Sequence, residues 1–238
     1  MGDAWRIESR TAEAEALVGS WPSIEDDPGP RRFARCRPTV TAVVLGSTQP
    51  DPVVDRVRAD GAGVAVVRRR SGGGAVFVAP TDPLWADVWI PRGDPLWDDD
   101  VARSFDWVGA WWTRALVECG VDGVRAHRGT DGACTRWSSL VCFGGVGHGE
   151  VLSADGRKLV GLSQRRTRSG AWFTGACYRR WDPRPLLEVL GLEPAERVAA
   201  AGGLGAAAVG FNELAGDPAG DRWESLADEL VAALPASD

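Results

Sequence analysis

The stretch "LWADVWIP" sets Leu84, Ala86, Val88 and Ile90 against Trp85, Asp87 and Trp89, the period-two alternation of a β-strand. Further strands are expected at "TVTAVVLG", "GVAVVRR" and "AVFVAP", with Pro80, Asp82 and Pro83 punctuating the turn into "LWADVWIP". The pattern then changes period. In "DDDVARSFDWVGAWWTRALVECG", Val101, Phe105, Val108, Trp112 and Leu116 recur every three or four residues behind an acidic first turn and before Gly120, which predicts a core helix. From "SLVCF" to "AWFTGACY" strands return, with "ADG" at Ala154 to Gly156 a hairpin turn between "GEVLS" and "RKLVGLSQRR".

The ends read as helical. "RIESRTAEAEAL" has helical composition, "EDDPGPRRFARCRP" is a turn-rich connection, and a short helix is expected from about Asp51 to Asp60. Leu186, Leu187 and Leu190, then Trp223, Leu226, Leu230 and Leu234, mark a helical tail over 182–238. "AAAGGLGAAAVG" is either a helix with breaks or a mobile loop. No repeat or linker divides the chain, so the expectation is one α+β domain over residues 1–238, not an alternating βαβ fold.

Composition narrows the chemistry. The 238 residues carry net charge -6, which argues against bulk nucleic-acid binding, and no apolar run is long enough to span a bilayer. The N-terminus lacks a signal-peptide pattern, so a cytoplasmic protein without membrane attachment is expected. The five cysteines, Cys36, Cys119, Cys134, Cys142 and Cys177, are odd in number and without C-x-x-C spacing, which fits free thiols. Two histidines, His127 and His148, exclude a histidine-rich metal site, and no metal ligand is assigned. His127 reads as a surface or strand-edge residue; His148 is either a base or a solvent-facing residue in a flexible turn.

Two basic clusters stand out on this acidic chain. "RRRSGGGAVF" places Arg68, Arg69 and Arg70 against Ser71, Gly72, Gly73 and Gly74 between strands. Successive glycine N–H groups form anion-binding nests, whereas a plain hairpin needs fewer glycines. A Walker loop is excluded because no Lys-Ser or Lys-Thr follows at its spacing. The second cluster, "GRKLVGLSQRRTR", puts Lys158 just after a turn, on a mainly apolar row with Val160 and Leu162. Taken alone, that lysine snorkels to the sheet edge or reaches a buried anion.

Together, "RRRSGGGAV" and "GRKLVGLSQRR" resemble the lipoate-protein ligase and octanoyltransferase family, which shares its catalytic fold with biotin protein ligases. The resemblance spans residues 38–178 and begins at "PTVTAVVLGSTQ". It implies a largely antiparallel mixed sheet flanked by helices. It further implies that Arg68, Arg69, Ser71, Gly72, Gly73 and Gly74 line an acyl pocket and cover an acyl-phosphate, that Lys158 contacts the acyl carbonyl, and that Gly161 permits close approach. The implied activity is attachment of lipoate or octanoate, through an acyl-adenylate made with ATP and Mg2+, to a lysine of the lipoyl carrier domain of a 2-oxoacid dehydrogenase or glycine-cleavage protein. Val76 and Val160 are expected to wall the acyl tunnel.

The departures are specific. Val78 and Ala79 stand where the family carries His-Asp, and Gly175 and Ala176 where it carries His-Gly. The accessory C-terminal domain of many bacterial ligases is not expected after Tyr178. "SLVCFGGVGHGEV" places Cys142 where one octanoyltransferase subgroup has a nucleophile that takes octanoyl from acyl carrier protein without ATP or any cofactor; the same position in an apolar strand also suits an inert core thiol. A non-catalytic acyl-binding protein is the third reading, and a biotin ligase the fourth.

Overall fold

The computed structural model describes residues 5–19, 29–129, 134–216 and 220–236. From the N-terminus come β1 (Arg6–Ala12), α1 (Ala14–Gly19), β2 (Arg32–Pro38), β3 (Ala42–Leu45), α2 (Arg56–Gly61), β4 (Ala65–Arg68), β5 (Val76–Val78) and β6 (Leu84–Pro91). These are followed by α3 (Phe105–Glu118), β7 (Arg125–Ala126), β8 (Val151–Leu152), β9 (Lys158–Arg166) and β10 (Gly170–Cys177). Four helices close the chain: α4 (Arg184–Val189), α5 (Pro194–Ala207), α6 (Phe211–Ala215) and α7 (Asp221–Ala232). Seven strands form one sheet in the order β1-β2-β6-β10-β9-β8-β7, and three form a second in the order β4-β3-β5. Parallel pairing is confined to β1 with β2 and β3 with β4 among the named strands, so the expected α+β, largely antiparallel mixed architecture holds.

The alternation in β6 separates two environments. Leu84, Ala86, Val88 and Ile90 pack with Val108, Trp111, Trp112 and Leu116 of α3, over which α7 lays Leu226 and Leu230. Trp85 instead joins Ala34, Val44, Val78 and Leu17 in a separate cluster between the two sheets. Both faces are therefore covered, and every residue from Leu84 to Ile90 is buried. Gly175 makes the α3 side possible, since a Cβ there would lie 2.5 Å from the Trp112 indole nitrogen.

Several expectations need correction. "RIESRTA" is strand β1, because parallel pairing with β2 overrides its helical composition. The "RRFARCRP" part of the expected connection is mostly strand β2, held between β1 and β6, while residues 25–28 of that connection lie outside the described residues. The long helix starts at Phe105, not at the aspartates. Asp98 accepts from the Asp100 amide and Asp100 from those of Ala102 and Arg103, closing local turns that leave Val101 exposed. "SLVCF" is not a strand: Val141 makes one bridge to Ala75, and Cys142–Gly144 is a 3-10 turn whose Gly144 carbonyl accepts from Thr135 and Ser138 hydroxyls. The alanine- and glycine-rich segment is helical through Ala207, with Gly203 packed where a Cβ would lie 2.8 Å from the Trp137 indole nitrogen.

Candidate active site

The face of the large sheet opposite α3 and the small sheet enclose a cavity of about 420 Å³, within the range of small-molecule sites. Val44, Val76 and Val78 contribute from the small sheet and Leu17 and Val18 from α1. Arg69, Arg70 and Ser71 stand at the glycine-loop end, with Cys142 and Phe143 on one wall.

Each residue of the loop has a distinct physical role. Arg69 is buried, and its guanidinium donates to the carbonyls of Gly72 and Gly74 at 2.8 Å each and to that of Val44 at 3.4 Å. The arginine thus braces the loop from inside by drawing its carbonyls inward. Among the described residues, the amides of Gly72 and Gly73 donate to no acceptor, which suits an incoming anion. Gly73 has φ +96°, and a Cβ on Gly74 would come within 2.5 Å of the Val141 backbone, so these two glycines are required by the fold. Nothing lies within 4 Å of a Cβ built on Gly72, so the fold alone does not demand that glycine. Arg68 does not line the cavity; its guanidinium donates to the carbonyls of Gly46 and Gln49 and pairs with Asp51 at 2.6 Å.

Gln49 locks the preceding turn to the cavity wall. Its side chain accepts from the Gly46 amide and donates to the carbonyls of Ser139 and Leu140, each at 3.0 Å. Cys142 follows directly, its amide bonded to the Ala75 carbonyl at 3.0 Å and its half-buried side chain on the cavity. It lies on a 3-10 turn rather than the expected apolar strand, and its side chain packs against the core cluster that includes Val141 and Phe143 as well as facing the cavity.

Lys158 is only 2% exposed, which overturns the snorkelling expectation. Its ammonium pairs with Glu150 Oε2 at 2.6 Å, donates to the Cys142 carbonyl at 2.7 Å and sits 5.5 Å from the Phe143 ring centroid. It lies directly behind the Cys142–Phe143 wall and is not itself a lining residue. Glu150 is the residue sequence reasoning missed here. Its carboxylate also accepts from the amides of Leu162 at 3.0 Å and Gly147 at 2.6 Å, so one buried acid fixes β9, the loop before β8 and the lysine together. Gly161 lines the cavity, but a Cβ on it would lie 3.0 Å from the Phe143 ring, so this glycine seats the wall.

His148 is not free in a flexible turn: its Nε2 lies 2.8 Å from Asp106 Oδ1 at the start of α3. His127 sits at the end of β7, its amide bonded to the Glu150 carbonyl at 2.8 Å. Among the described residues, no group of three His, Cys, Asp or Glu side chains has the arrangement of a metal site. Cys36, Cys119 and Cys177 are buried, and burial pushes their thiols above the ordinary range.

The model of the lipoyl protein ligase A/B catalytic domain matches residues 26–211. The chain belongs to this family. Lipoyl protein ligase A/B catalytic domains are acyl ligase or transferase enzymes. No curated protein matches the chain. Among solved structures it is similar to a bipartite lipoate protein ligase from Thermoplasma acidophilum, described with its lipoyl domain, at TM-score 0.70 and 17% identity over 96% of this chain and 83% of that one. It is also similar to a lipoate-protein ligase A bound with ATP, at TM-score 0.67 and 18% identity over 98% of this chain and 86% of that one. A third likeness is to the P. falciparum protein LipL1 in complex with lipoate, at TM-score 0.64 and 11% identity over 97% of this chain and 61% of that one. No helix among the described residues is long and apolar enough to cross a membrane.

Of the residues the sequence nominated, Arg69, Ser71, Cys142 and Gly161 line this family member's cavity, Gly72 to Gly74 are not lining residues but continue the loop from Ser71, and Lys158 stands one backbone carbonyl behind it. Arg70, which the motif leaves unspecified, is exposed and lines the same end.

Proposed function

We propose that the enzyme attaches lipoate or octanoate to a lysine of a lipoyl carrier domain through an acyl-adenylate. The observation that carries this reading is the Arg69-braced loop, which continues from the cavity-lining Ser71 and, among the described residues, leaves the amides of Gly72 and Gly73 without acceptors. The acid's carboxylate oxygen attacks the α-phosphorus of ATP and pyrophosphate leaves; the carrier amine then attacks the acyl carbonyl and AMP leaves. The loop amides and Arg70 suit the phosphate oxygens, whereas Lys158, held behind the wall by Glu150 and the Cys142 carbonyl, would reach the acyl carbonyl oxygen only if the Cys142–Phe143 wall opens. For Mg2+, one or two carboxylates with substrate phosphates are the usual ligands, so the nucleotide supplies part of that site. Partners are the lipoyl domain of a 2-oxoacid dehydrogenase or glycine-cleavage protein, in the cytoplasm.

One observation favours a second reading. Cys142 presents its side chain to the cavity. Its thiolate would attack an acyl carrier protein thioester, release the carrier thiol and pass the acyl group to the lysine amine without ATP. Pyrophosphate release with lipoate or octanoate, ATP and a lipoyl domain separates the two readings. Turnover that survives Cys142→Ser supports ligation. ATP-independent transfer with an acyl-enzyme mass, lost in Cys142→Ser, supports the thioester route. No turnover by either route leaves the non-catalytic acyl-binding reading.

A further inference from the structure

A single peptide, Cys142–Phe143, stands between the cavity and Lys158, and the amides of this wall are not equivalent. The Cys142 amide donates to the Ala75 carbonyl at 3.0 Å and the Gly144 amide to the Val141 carbonyl at 2.9 Å. Between them, the Phe143 amide has no acceptor among the described residues. Phe143 is only 1% exposed, and an unpaired donor in a buried residue is costly unless a ligand supplies the acceptor.

The direction of that amide follows from its own peptide. The bond is trans, so the Cys142 carbonyl and the Phe143 N–H point to opposite sides of it. The carbonyl is turned to the back of the wall, where the Lys158 ammonium donates to it at 2.7 Å. Cys142 and Phe143 line the cavity and Lys158 does not, so the N–H is turned towards the cavity. The peptide is held in this sense from both ends. Glu150 fixes the ammonium at 2.6 Å, while the Phe143 ring is stacked on Trp181 at 5.0 Å, set edge-on to Tyr178 at 4.9 Å and seated over Gly161. A cation on the carbonyl also polarises the peptide and strengthens its N–H as a donor.

We propose that the Phe143 N–H is a catalytic oxyanion donor for acyl transfer, with Lys158 and Glu150 as the positioning residues that aim and polarise it from behind the wall. The proposal rests on the acyl-transfer reading of the site and adds a catalytic group to it. As the carrier amine attacks the acyl carbonyl, a C–N bond forms, the carbonyl π pair moves onto oxygen, and the Phe143 N–H meets that negative charge. The pair then returns, the C–O bond to phosphate breaks, AMP leaves and the amine gives its proton to water. Lys158 thereby acts with the wall closed.

The test replaces Phe143 with phenyllactate, which turns the N–H into an ester oxygen and keeps the ring, and reads the two half-reactions apart. Acyl transfer from preformed octanoyl adenylate to a lipoyl domain falls about 10²–10³-fold. Pyrophosphate release from ATP and octanoate changes far less, because charge on the acyl oxygens falls rather than grows in that step. Lys158→Met also lowers transfer, but lowers it less in the ester protein, since both changes act on one peptide. Unchanged transfer in the ester protein, or full additivity with Lys158→Met, overturns the proposal while ATP-dependent pyrophosphate release leaves the acyl-transfer reading standing. The wild-type protein gives a second reading that needs no variant to fold. Its six Phe amides, labelled with nitrogen-15, are followed as octanoyl-sulfamoyladenosine, a non-hydrolysable adenylate mimic, is added, and the Phe143 amide takes the largest downfield shift. A Phe143 amide that stays in place as the mimic binds overturns the proposal. Absence of pyrophosphate release, of transfer and of mimic binding together overturns both.

Discussion

Replacing Glu150 with leucine removes the acid that holds three parts of the site together. The carboxylate pairs with Lys158 at 2.6 Å and accepts from the Leu162 and Gly147 amides at 3.0 Å and 2.6 Å, with both charged side chains almost fully buried. Removing one partner of a buried pair leaves an uncompensated charge and costs about 3–5 kcal/mol. Here the Cys142 carbonyl at 2.7 Å and the Phe143 ring still face the ammonium, so the lower end, about 3 kcal/mol, is expected. Lys158→Met leaves Glu150 with two amide donors and costs less, about 2 kcal/mol. The double variant removes both charges together and is more stable than the two losses would sum to, with a coupling of roughly 1–3 kcal/mol. Urea denaturation of the four proteins at neutral pH, with unchanged m-values, measures all three quantities. A cost below about 1 kcal/mol for Glu150→Leu, or strict additivity in the double variant, refutes the interlocked pair.

The glycine loop supplies a second contrast: Gly72→Ala leaves stability within about 0.5 kcal/mol of wild type, since its methyl group meets only open space, yet lowers turnover at least about tenfold by crowding an amide that the proposed mechanism assigns to the phosphate. Gly73→Ala, at φ +96°, costs about 1–3 kcal/mol in a denaturant melt; equal stability of the two variants contradicts the loop geometry. In a folded Lys158→Ala protein, turnover falls about 10²–10³-fold, and an unchanged rate removes the lysine from the chemistry. Burial, opposed by the Arg179 and Arg180 amides and the Arg179 charge, raises the Asp82 carboxyl to about 6, so the native state binds its proton more tightly than the unfolded chain does. Stability from this group is therefore greatest below the unfolded value and falls by about 2–3 kcal/mol as pH rises from 4 to 6. The difference between wild type and Asp82→Asn across that window reads the effect, and identical pH profiles contradict it.

Alternating side chains made β6 and β9 legible, and the "ADG" turn located the hairpin whose Gly156 has φ +88°. The strands β1 and β2 were not legible because their apolar content is low and their pairing partners lie far along the chain. The aspartates before α3 resemble a helix start, but their carboxylates cap short turns, a choice that hydrophobic spacing does not encode. At the site, the two basic motifs pointed to the loop and to Lys158, yet motif spacing could not distinguish Arg69, which braces the loop, from Arg68, which ties down a neighbouring turn. Glu150 was hidden in "GGVGHGEV", since only the approach of β8 to β9 brings it to the lysine.

The most direct test of the central claim is the intact mass of a lipoyl carrier domain after incubation with the enzyme, an acid donor and Mg2+, with and without ATP. Ligation predicts a carrier mass increase equal to the acyl group, dependent on ATP and retained by Cys142→Ser. A carrier that stays unmodified with every acid in the presence of ATP contradicts the account, as does acylation from acyl carrier protein alone that disappears in Cys142→Ser.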